Sequence, residues 1–263
     1  MVQTSPVSDR RWLVAGVDPL EALARPEGLS VVFQPVVDLG GRVRLLHGVE
    51  GLSRGPAGTP LADATILFDY VRERRAEARV DRLCCARVLQ AAAALPPGTN
   101  VFINVHAVTL AEDAHFVPFL LEQLRAHAMD PRRITIDIIA AGTFCPVLVE
   151  AVARLRAVGI RASVDDVGGL RVDYHGMLEC RPEYLKLDRV VVRRRDEVQD
   201  LLIESLVRLS RSIGARTIVK GIETLDELDN ATRAGISLVQ GEYFCPAMPL
   251  DELLATDLLA TAA

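Results

Sequence analysis

Short apolar runs rich in β-branched residues alternate with longer segments of helical spacing, and this alternation constrains the fold more than any other feature of the chain. We predict eight strands, at residues 30–37, 45–52, 101–105, 134–138, 161–164, 184–187, 217–219 and 237–240. Apolar residues three and four apart predict helices at residues 81–94, 117–128, 146–158, 196–213 and 225–234. This order of elements is typical of an α/β fold built from βα repeats.

Two folds share this alternation of strands and helices, and the connections between the strands distinguish them. Only the link through Gly40 and Gly41 is short enough for a hairpin, so the first two strands are expected to be antiparallel. A doubly wound open sheet would normally carry a glycine-rich phosphate loop, and the chain has neither G-x-G-x-x-G nor a Walker sequence. We therefore predict a modified (β/α)8, TIM-like barrel with an antiparallel first strand over residues 29–255.

The segments outside the predicted barrel are short. We expect a leader at residues 1–28 and a tail at residues 256–263. Within the leader, Asp18 suits an N-cap and Pro19 suits the first helical position, which predicts a short helix ending near Ala24.

Composition and charge argue against several classes of protein. The net charge of −5 argues against a general nucleic-acid binder. No stretch of about 20 apolar residues suggests a membrane span, and residues 1–11 lack the apolar core of a secretory signal. We therefore expect a cytoplasmic protein with neither a membrane nor a nucleic-acid partner. The five cysteines lack C-x-x-C spacing and the five histidines lack metal-ligand spacing, so neither a disulfide framework nor a zinc site is indicated.

Polar residues recur at the ends of the predicted strands, where a barrel gathers its strand ends on one face. Asp165 and Asp166 are the most informative, because adjacent carboxylates repel each other unless a cation or a reacting group lies between them. An ordinary Asp-Asp-x-Gly turn is the alternative. The other strand ends carry Glu50, Asn104, Asp137, Lys186, Lys220, Glu223 and Gln240. Glu50, Asn104, Asp137 and Asp165 suit Mg²⁺ or Mn²⁺ rather than zinc, and a nearby lysine suits a phosphate.

An ordered set of short segments resembles the EAL family of cyclic di-GMP phosphodiesterases over about residues 29–250. Each segment is weak by itself, whereas the set of eight, in family order and at family spacing, is specific. The segments are Phe33-Gln34-Pro35, Glu50-Gly51-Leu52-Ser53-Arg54, Ile103-Asn104-Val105, Asp137-Ile138-Ile139, Asp165-Asp166-Val167-Gly168, Leu185-Lys186-Leu187-Asp188, Gly221-Ile222-Glu223-Thr224 and Gln240-Gly241.

The resemblance implies a barrel, often dimeric, that opens cyclic di-GMP to the linear dinucleotide. In that family, metal ions activate a water for in-line attack on phosphorus, by the logic of a two-metal site. Carried over, the Mg²⁺ or Mn²⁺ ligands would be Glu50, Asn104, Asp137, Asp165 and Glu223. Lys186 would be a catalytic partner of the attacking water or phosphate, and Asp166 a second ligand or a water-positioning group. Substrate contacts would come from Arg54, whose guanidinium suits a phosphate, and from Gln34, Asp188 and Gln240.

The chain departs from the family pattern at the metal chemistry. The family's Ala-Glu-Gly-Val-Glu-Thr stretch is here Val219-Lys220-Gly221-Ile222-Glu223-Thr224, so Lys220 replaces the acid associated with the metal-bound water and general-base work. Unit charges about 4 Å apart interact by roughly 4 kcal/mol at an effective dielectric near 20. A charged Lys220 is therefore expected to weaken metal binding.

Other departures point the same way. Asp137 replaces a glutamate and is one methylene shorter, and Ala140 stands where a second glutamate normally braces the loop after the paired aspartates. The loop at residues 167–174 keeps only its first glycine, which puts both the metal site and the family's dimer contact in doubt. Gly51 replaces alanine in the signature, and we expect this change to be mild and mainly to remove packing.

Two hypotheses describe Lys220. Its ammonium could take the place of a cation among Glu50, Asp137, Asp165 and Asp166, so that the barrel stays folded without metal. Alternatively, a desolvated Lys220 could lose its proton near neutral pH and serve as the base. We favour the first, because nearby carboxylates raise the pKa of a lysine.

Three functions follow, and enzymatic activity is the less favoured outcome. The favoured reading is a degenerate, catalytically impaired EAL-like module that binds cyclic di-GMP or a protein. The alternatives are an active Mg²⁺- or Mn²⁺-dependent phosphodiesterase that gives the linear dinucleotide, and a structural interaction protein that binds no nucleotide. Cyclic di-GMP, a protein partner or a second copy of the chain are the candidate partners.

Overall fold

The strands form one closed eight-stranded barrel with neighbours in chain order. The structure, a computed structural model, describes residues 17–41, 45–139, 145–168, 173–193 and 196–256. The strands are β1 (Ser30–Asp38), β2 (Leu45–Arg54), β3 (Asn100–His106), β4 (Ile134–Ile139), β5 (Arg161–Val167), β6 (Tyr184–Leu187), β7 (Arg216–Val219) and β8 (Leu238–Val239).

The first strand runs against both of its neighbours. β1 pairs antiparallel with β2 and with β8, whereas every pair from β2 to β8 is parallel. The predicted (β/α)8-like barrel with an antiparallel first strand is therefore confirmed. The register also positions the site, because Gln34 lies opposite Glu50 and Asn104 lies opposite Asp137.

The helices pack around the barrel. They are α1 (Pro19–Leu23), α2 (Ala64–Glu73), α3 (Glu77–Ala92), α4 (Ala107–Glu112), α5 (Phe116–Ala126), α6 (Pro146–Ala157), α7 (Tyr174–Cys180), α8 (Glu197–Ser212), α9 (Leu225–Arg233) and α10 (Leu250–Leu254). The five helices predicted for the barrel correspond to α3, α5, α6, α8 and α9. The predictions omitted α2, α4, α7 and α10, since helices of five to ten residues leave little room for a periodic pattern.

Strand β5 is longer than predicted. It continues from Arg161 through Asp165 and Asp166 to Val167, so the two carboxylates lie within the strand rather than in a simple turn. The pairing of β5 with β6 shifts its register between Val164 and Val167, which marks a bulge at the acidic pair. β8 is shorter than predicted, and Gln240 follows its end.

An apolar plug fills the barrel interior beneath the strand ends. Five buried side chains from five different strands form it: Val36, Phe102, Tyr184, Ile218 and Leu238. Phe102 and Tyr184 meet edge to face, with ring centroids 5.3 Å apart. The polar side chains of the site lie above a packed core and not above an open channel.

Buried Asp81 ties helix α3 to the end of β3. The backbone N–H of His106 donates to the carboxylate at 2.9 Å, the His106 ring Nδ1 lies 2.9 Å from it, and the Thr109 hydroxyl donates at 2.5 Å. These bonds fix the strand end two residues beyond Asn104.

The leader contains the helix that the sequence indicates. Asp18 accepts a hydrogen bond from the backbone N–H of Leu20 at 2.8 Å, and α1 begins at Pro19. Leu23 packs in a cluster with Leu61, Leu67 and Tyr70, outside the barrel. In the part of the chain that the structure describes, no helix is long and apolar enough to cross a membrane.

Several sequence predictions fall outside the described residues. Ala140, loop residues 169–172, residues 1–16 of the leader and residues 257–263 of the tail all lie there. The division of the chain at residues 29 and 255 stays a prediction.

Candidate functional site

Glu50 is the centre of a polar layer at the carboxyl ends of the parallel strands. Its carboxylate accepts hydrogen bonds from Asn104 at 2.6 Å, from Gln240 at 2.7 Å and from the Lys186 ammonium at 2.8 Å. Four strand ends that are far apart in the sequence therefore meet at one side chain. The Asn104 amide, in particular, donates to a side chain on the neighbouring strand.

Lys186 and Asp137 form the deepest part of this layer. Both side chains are completely buried, and the ammonium contacts Asp137 Oδ2 as well as Glu50. The ammonium also lies 5.3 Å from the centroid of the Phe102 ring, at the top of the apolar plug. Asp137 Oδ1 has no hydrogen-bond partner among the described residues. We define Glu50, Asp137 and Lys186 as the inner cluster.

Glu50 and Asp137 share the Lys186 ammonium, and their pKa values shift in opposite directions. Burial by itself would raise the pKa of Glu50, but Lys186 and the donors Asn104 and Gln240 outweigh it and hold that pKa below the usual range. For Asp137, burial together with the charges of Asp165 and Glu50 outweighs Lys186 and raises the pKa to about 7.

Lys220 lies between the two adjacent aspartates of β5. Its ammonium is 2.8 Å from the Asp165 carboxylate and 2.7 Å from that of Asp166. Burial would lower the pKa of Lys220, but the two carboxylates outweigh it and raise that pKa. Burial, opposed by Lys186 and Lys220, raises the pKa of Asp165. We define Asp165, Asp166 and Lys220 as the outer cluster.

The structure differs from the arrangement that the sequence predicts around Lys220, because the four carboxylates belong to two separate clusters. Lys220 was expected among four carboxylates, and the structure brings its ammonium to Asp165 and Asp166. Glu50 and Asp137 are paired by Lys186 instead. The fixed positive charge therefore comes from two lysines at different depths.

Backbone geometry turns Asp166 outward. Its φ is +57°, in the left-handed region that is unfavourable for a residue with a side chain. Its backbone N–H donates to Asp165 Oδ1 at 2.9 Å, and its side chain is 63% exposed. Lys220 reaches it from the cleft side, so the ion pair helps to hold this strained backbone conformation within β5.

A cleft of about 540 Å³ opens above the polar layer. Cationic side chains face it from several elements, namely Arg54, Arg72, Arg189 and Lys220. One wall is apolar, with Phe68, Val88 and Ile103. The cleft can therefore hold a ligand that has both anionic and flat apolar parts.

The predicted substrate contacts lie at or near the cleft. Arg54 lines it, and burial lowers the pKa of its guanidinium. Gln240 donates to the side-chain oxygen of Gln34 at 3.1 Å, and both residues line the cleft. Asp188 also lines it, while its carboxylate accepts from the Val190 backbone N–H at 2.9 Å and caps the 3-10 turn Arg189–Val191.

Four predicted site residues do not line the cleft, and one of them is Asp166, whose side chain turns outward. Lys186 and Asp137 are sealed beneath the cleft and do not line it. Glu223, predicted as a metal ligand, forms an ion pair with Arg189.

Helix α2 forms a part of the cleft that was not predicted from the sequence. Phe68 and Arg72 lie on this helix and face the cleft. A signal was present, because Asp63 caps the helix by accepting the backbone N–H groups of Thr65 and Ile66. Apolar residues at Leu67, Tyr70 and Val71 then follow with helical spacing.

The expectation that Gly51 is a mild loss of packing is wrong. A β-carbon at this position would lie 2.4 Å from Val88 Cγ1 on α3, which is closer than atoms can approach. Val88 fills the space next to the strand that carries Glu50, so the glycine and the valine fit together as a pair.

The described residues do not fit a metal ion in their present arrangement. Glu50 and Asp137 are engaged by Lys186, and Asp165 is engaged by Lys220. Among the described residues, no group of three or more His, Cys, Asp or Glu side chains is arranged to hold a metal ion. The oxygen donors are of the type that Mg²⁺ and Mn²⁺ prefer, but ammonium groups lie against them.

The fold and the strand-end polar layer define a (β/α)8-type barrel with an acidic site at its carboxyl face. A sequence profile described as EAL domain matches residues 19–247, and the chain therefore belongs to the EAL domain family.

Curated relatives and a solved structure agree with this assignment. The bifunctional diguanylate cyclase/cyclic di-GMP phosphodiesterase MucR of Pseudomonas aeruginosa is 25% identical over 258 residues, which cover 94% of this chain and 35% of MucR. The blue light- and temperature-regulated antirepressor BluF of Escherichia coli is 23% identical over 154 residues, which cover 56% of this chain and 38% of BluF. The chain thus spans little more than a third of either relative.

The solved structure is a manganese and cyclic di-GMP complex of BlrP1 from Klebsiella pneumoniae. It aligns with a TM-score of 0.74 and 23% identity over 85% of this chain and 57% of BlrP1. At that identity the likeness shows the fold. A divalent cation and cyclic di-GMP are bound together in that homologue.

Proposed function

We propose that this chain is a catalytically impaired EAL domain that binds cyclic di-GMP and acts through binding rather than cleavage. The observation that carries the proposal is the Lys220 ammonium, 2.8 Å from Asp165 and 2.7 Å from Asp166. An ammonium supplies positive charge, but it has no open coordination position and binds no activated water. It therefore neutralises the carboxylates without generating the nucleophile that a divalent cation supplies.

Four basic side chains line the cleft together with the carboxylates of Glu50, Asp165 and Asp188, and the basic groups support a ligand that carries phosphates. Arg54, Arg72, Arg189 and Lys220 face a volume of about 540 Å³. Guanidinium groups bind phosphate oxygens through paired hydrogen bonds, and Phe68 offers a flat apolar surface to a base. The cyclic di-GMP bound in the BlrP1 structure supports that molecule as the ligand.

The protonation of Lys220 argues against its use as a base. The carboxylates of Asp165 and Asp166 raise its pKa, so the amine holds its proton throughout the physiological range. A general base needs a pKa close to the working pH.

Calorimetric titration with cyclic di-GMP, combined with chromatography of the products, tests the proposal. We expect wild-type protein to bind the ligand equally in EDTA and in Mn²⁺, and to release no linear dinucleotide. Lys220→Glu should gain affinity for Mn²⁺, measured without nucleotide, by at least about tenfold, or about 1.4 kcal/mol. Lys220→Gln is the matched control, because it removes the charge without adding a carboxylate. Brisk metal-dependent turnover by the wild type would overturn the proposal.

A metal-dependent phosphodiesterase is the second candidate function. The hydrogen bonds from Asn104 and Gln240 to Glu50 favour it, because they hold this predicted metal ligand in place at the cleft. This candidate requires Mn²⁺ to displace Lys220 from Asp165. Turnover in the chromatographic assay would support it, whereas absence of both binding and turnover would favour a structural interaction protein.

A further inference from the structure

Helix α2 presents one of its faces to the cleft. Thr65, Phe68 and Arg72 all line the cleft, and their spacing of three and then four residues places them on one side of the helix. The opposite side packs into the cluster outside the barrel through Leu67 and Val71. Because this packing fixes the rotation of the helix about its axis, the Phe68 and Arg72 side chains face any ligand that enters the cleft.

An aromatic ring is held in place on this face. The ring of Phe68 packs against the ring of His106, with centroids 5.6 Å apart. His106 is itself fixed, because its backbone N–H and its ring Nδ1 each lie 2.9 Å from the Asp81 carboxylate. Phe68 is only partly buried, so part of its ring remains available to a planar group in the cleft. A nucleobase stacks on such a ring, and a ring that is already ordered loses little entropy on binding.

The Arg72 guanidinium lies one turn further along the same face. Its Nη2 donates to Asp69, and the two side chains are 40% and 58% exposed. An exposed ion pair of this kind is weak, so Asp69 does not prevent Arg72 from binding a ligand. A guanidinium carries five N–H donors, and most of them remain available.

We propose that this face of α2 recognises guanine, with the base stacked on Phe68 and with its O6 and N7 atoms accepting hydrogen bonds from Arg72. Four residues advance about 6 Å along a helix, which carries the guanidinium from the centre of a stacked base to its edge. O6 and N7 of guanine are both acceptors, whereas adenine has an amino donor in place of O6. The inference rests on the proposed binding of cyclic di-GMP, and it adds the side chains that select the base.

The other basic groups of the cleft are better placed for the phosphates. Arg54 ends β2, lines the cleft and forms no salt bridge among the described residues, and Lys220 follows the end of β7. Both therefore lie at the strand ends, next to the polar layer. Arg72 comes instead from the helical wall and lies on the same face as Phe68. The strand ends thus suit the charged part of a nucleotide, and α2 suits its base.

Calorimetric titration of the full chain in EDTA with cyclic di-GMP, cyclic di-AMP and cyclic di-IMP tests the assignment. Hypoxanthine keeps O6 and N7 but lacks the 2-amino group, so cyclic di-IMP isolates the edge assigned to Arg72. Wild-type protein should prefer cyclic di-GMP to cyclic di-AMP by about tenfold. Arg72→Met should remove this preference, because it weakens cyclic di-GMP and cyclic di-IMP and leaves cyclic di-AMP unchanged. Phe68→Leu should weaken all three about tenfold, since stacking does not distinguish the purines.

Arg75→Met is the matched control, because it removes an exposed arginine close to the end of α2 that does not line the cleft, and it should change none of the affinities. Circular dichroism checks that each variant is folded. If Arg72 contacted a phosphate instead, Arg72→Met would weaken the three ligands equally, and that result would overturn the inference. Wild-type protein that binds none of the three would refute the proposed function itself. Binding with a preference that Arg72→Met leaves intact would refute the inference alone.

Discussion

The inner and outer clusters each place an ammonium between carboxylates, but they do so at different depths. Lys186 and Asp137 are completely buried, whereas Lys220 is one-quarter exposed and its partner Asp166 is largely exposed. Water, a metal ion or a phosphate can reach the outer cluster from the cleft. Within the inner cluster, Lys186 and Asp137 have no such exchange available, so their charges are balanced by the fold itself.

This difference assigns different functions to two similar ion pairs. Removing one partner from a buried pair leaves an uncompensated charge, which costs about 3–5 kcal/mol. Exposed pairs contribute about 0–1 kcal/mol, because water screens them. The inner cluster therefore holds β2, β4 and β6 together, while the outer cluster sets what the cleft can bind.

The largest expected effect is the loss of the inner ammonium. Lys186→Met leaves the carboxylates of Glu50 and Asp137 buried without a cation, and should lower the free energy of unfolding by about 3–5 kcal/mol. Urea unfolding at pH 7 measures it. Adding Asp137→Asn to Lys186→Met should recover part of the loss, since Asp137, whose pKa rises further without Lys186, no longer has to take up a proton on folding. A loss below about 1 kcal/mol would mean that water reaches the inner cluster.

The pH dependence of stability gives the next effect, through Asp137. Its pKa rises from 3.8 to about 7 on folding. Between these values the folded state binds a proton that the unfolded state has released, so stability falls as the pH rises through this window. Asp137→Asn should remove this contribution and gain stability relative to wild type as the pH rises from 5 to 8. The lowered pKa of Glu50 acts below this range and does not interfere.

Urea midpoints for the two proteins across that pH range measure the difference. Other titrating groups, such as His47 with its pKa lowered to about 4 by burial and by Arg216, are common to both proteins and cancel. A stability difference that stays constant with pH would contradict a raised pKa at Asp137.

Much of the site was predictable because parallel strands repeat one geometry. Glu50 lies in the carboxyl-terminal half of β2, Asn104 lies two residues before the end of β3, and Gln240 follows β8, so the closed barrel had to bring them together. The depth of each lysine side chain inside the barrel was not predictable in this way. Whether Lys186 or Lys220 pairs with Asp137 depends on the layer that each side chain occupies inside the barrel, and strand ends alone do not encode it.

Contacts between distant elements account for the other features that the sequence did not predict. Gly51 looked permissive in the sequence, yet Val88 from α3 occupies the space where its β-carbon would lie. Arg72 reaches the cleft because α2 folds over the end of β2, and the capped helical pattern of this segment indicates the helix but not its position. Both features depend on tertiary packing that a single sequence does not display.

A smaller effect should come from the packing that supports the inner cluster. Gly51→Ala places a methyl group 2.4 Å from Val88 Cγ1 and should destabilise the protein by about 1–3 kcal/mol, because valine has little freedom to move away. Combining Gly51→Ala with Val88→Ala should cost less than the sum of the two single changes. Additive losses in urea unfolding would show that the strand shifts instead.

The smallest expected effect on stability is the loss of the outer ammonium, and it tests the comparison most directly. Lys220→Met removes the cation from Asp165 and Asp166, but water reaches this cluster from the cleft, so the free energy of unfolding should fall by about 1 kcal/mol or less. The measurement is the same urea unfolding as for Lys186→Met, which removes an ammonium of identical chemistry one layer deeper. A loss of about 3 kcal/mol or more would place Lys220 with the buried pairs. Lys220 would then be part of the scaffold, and a metal ion could not replace it without unfolding the end of β5.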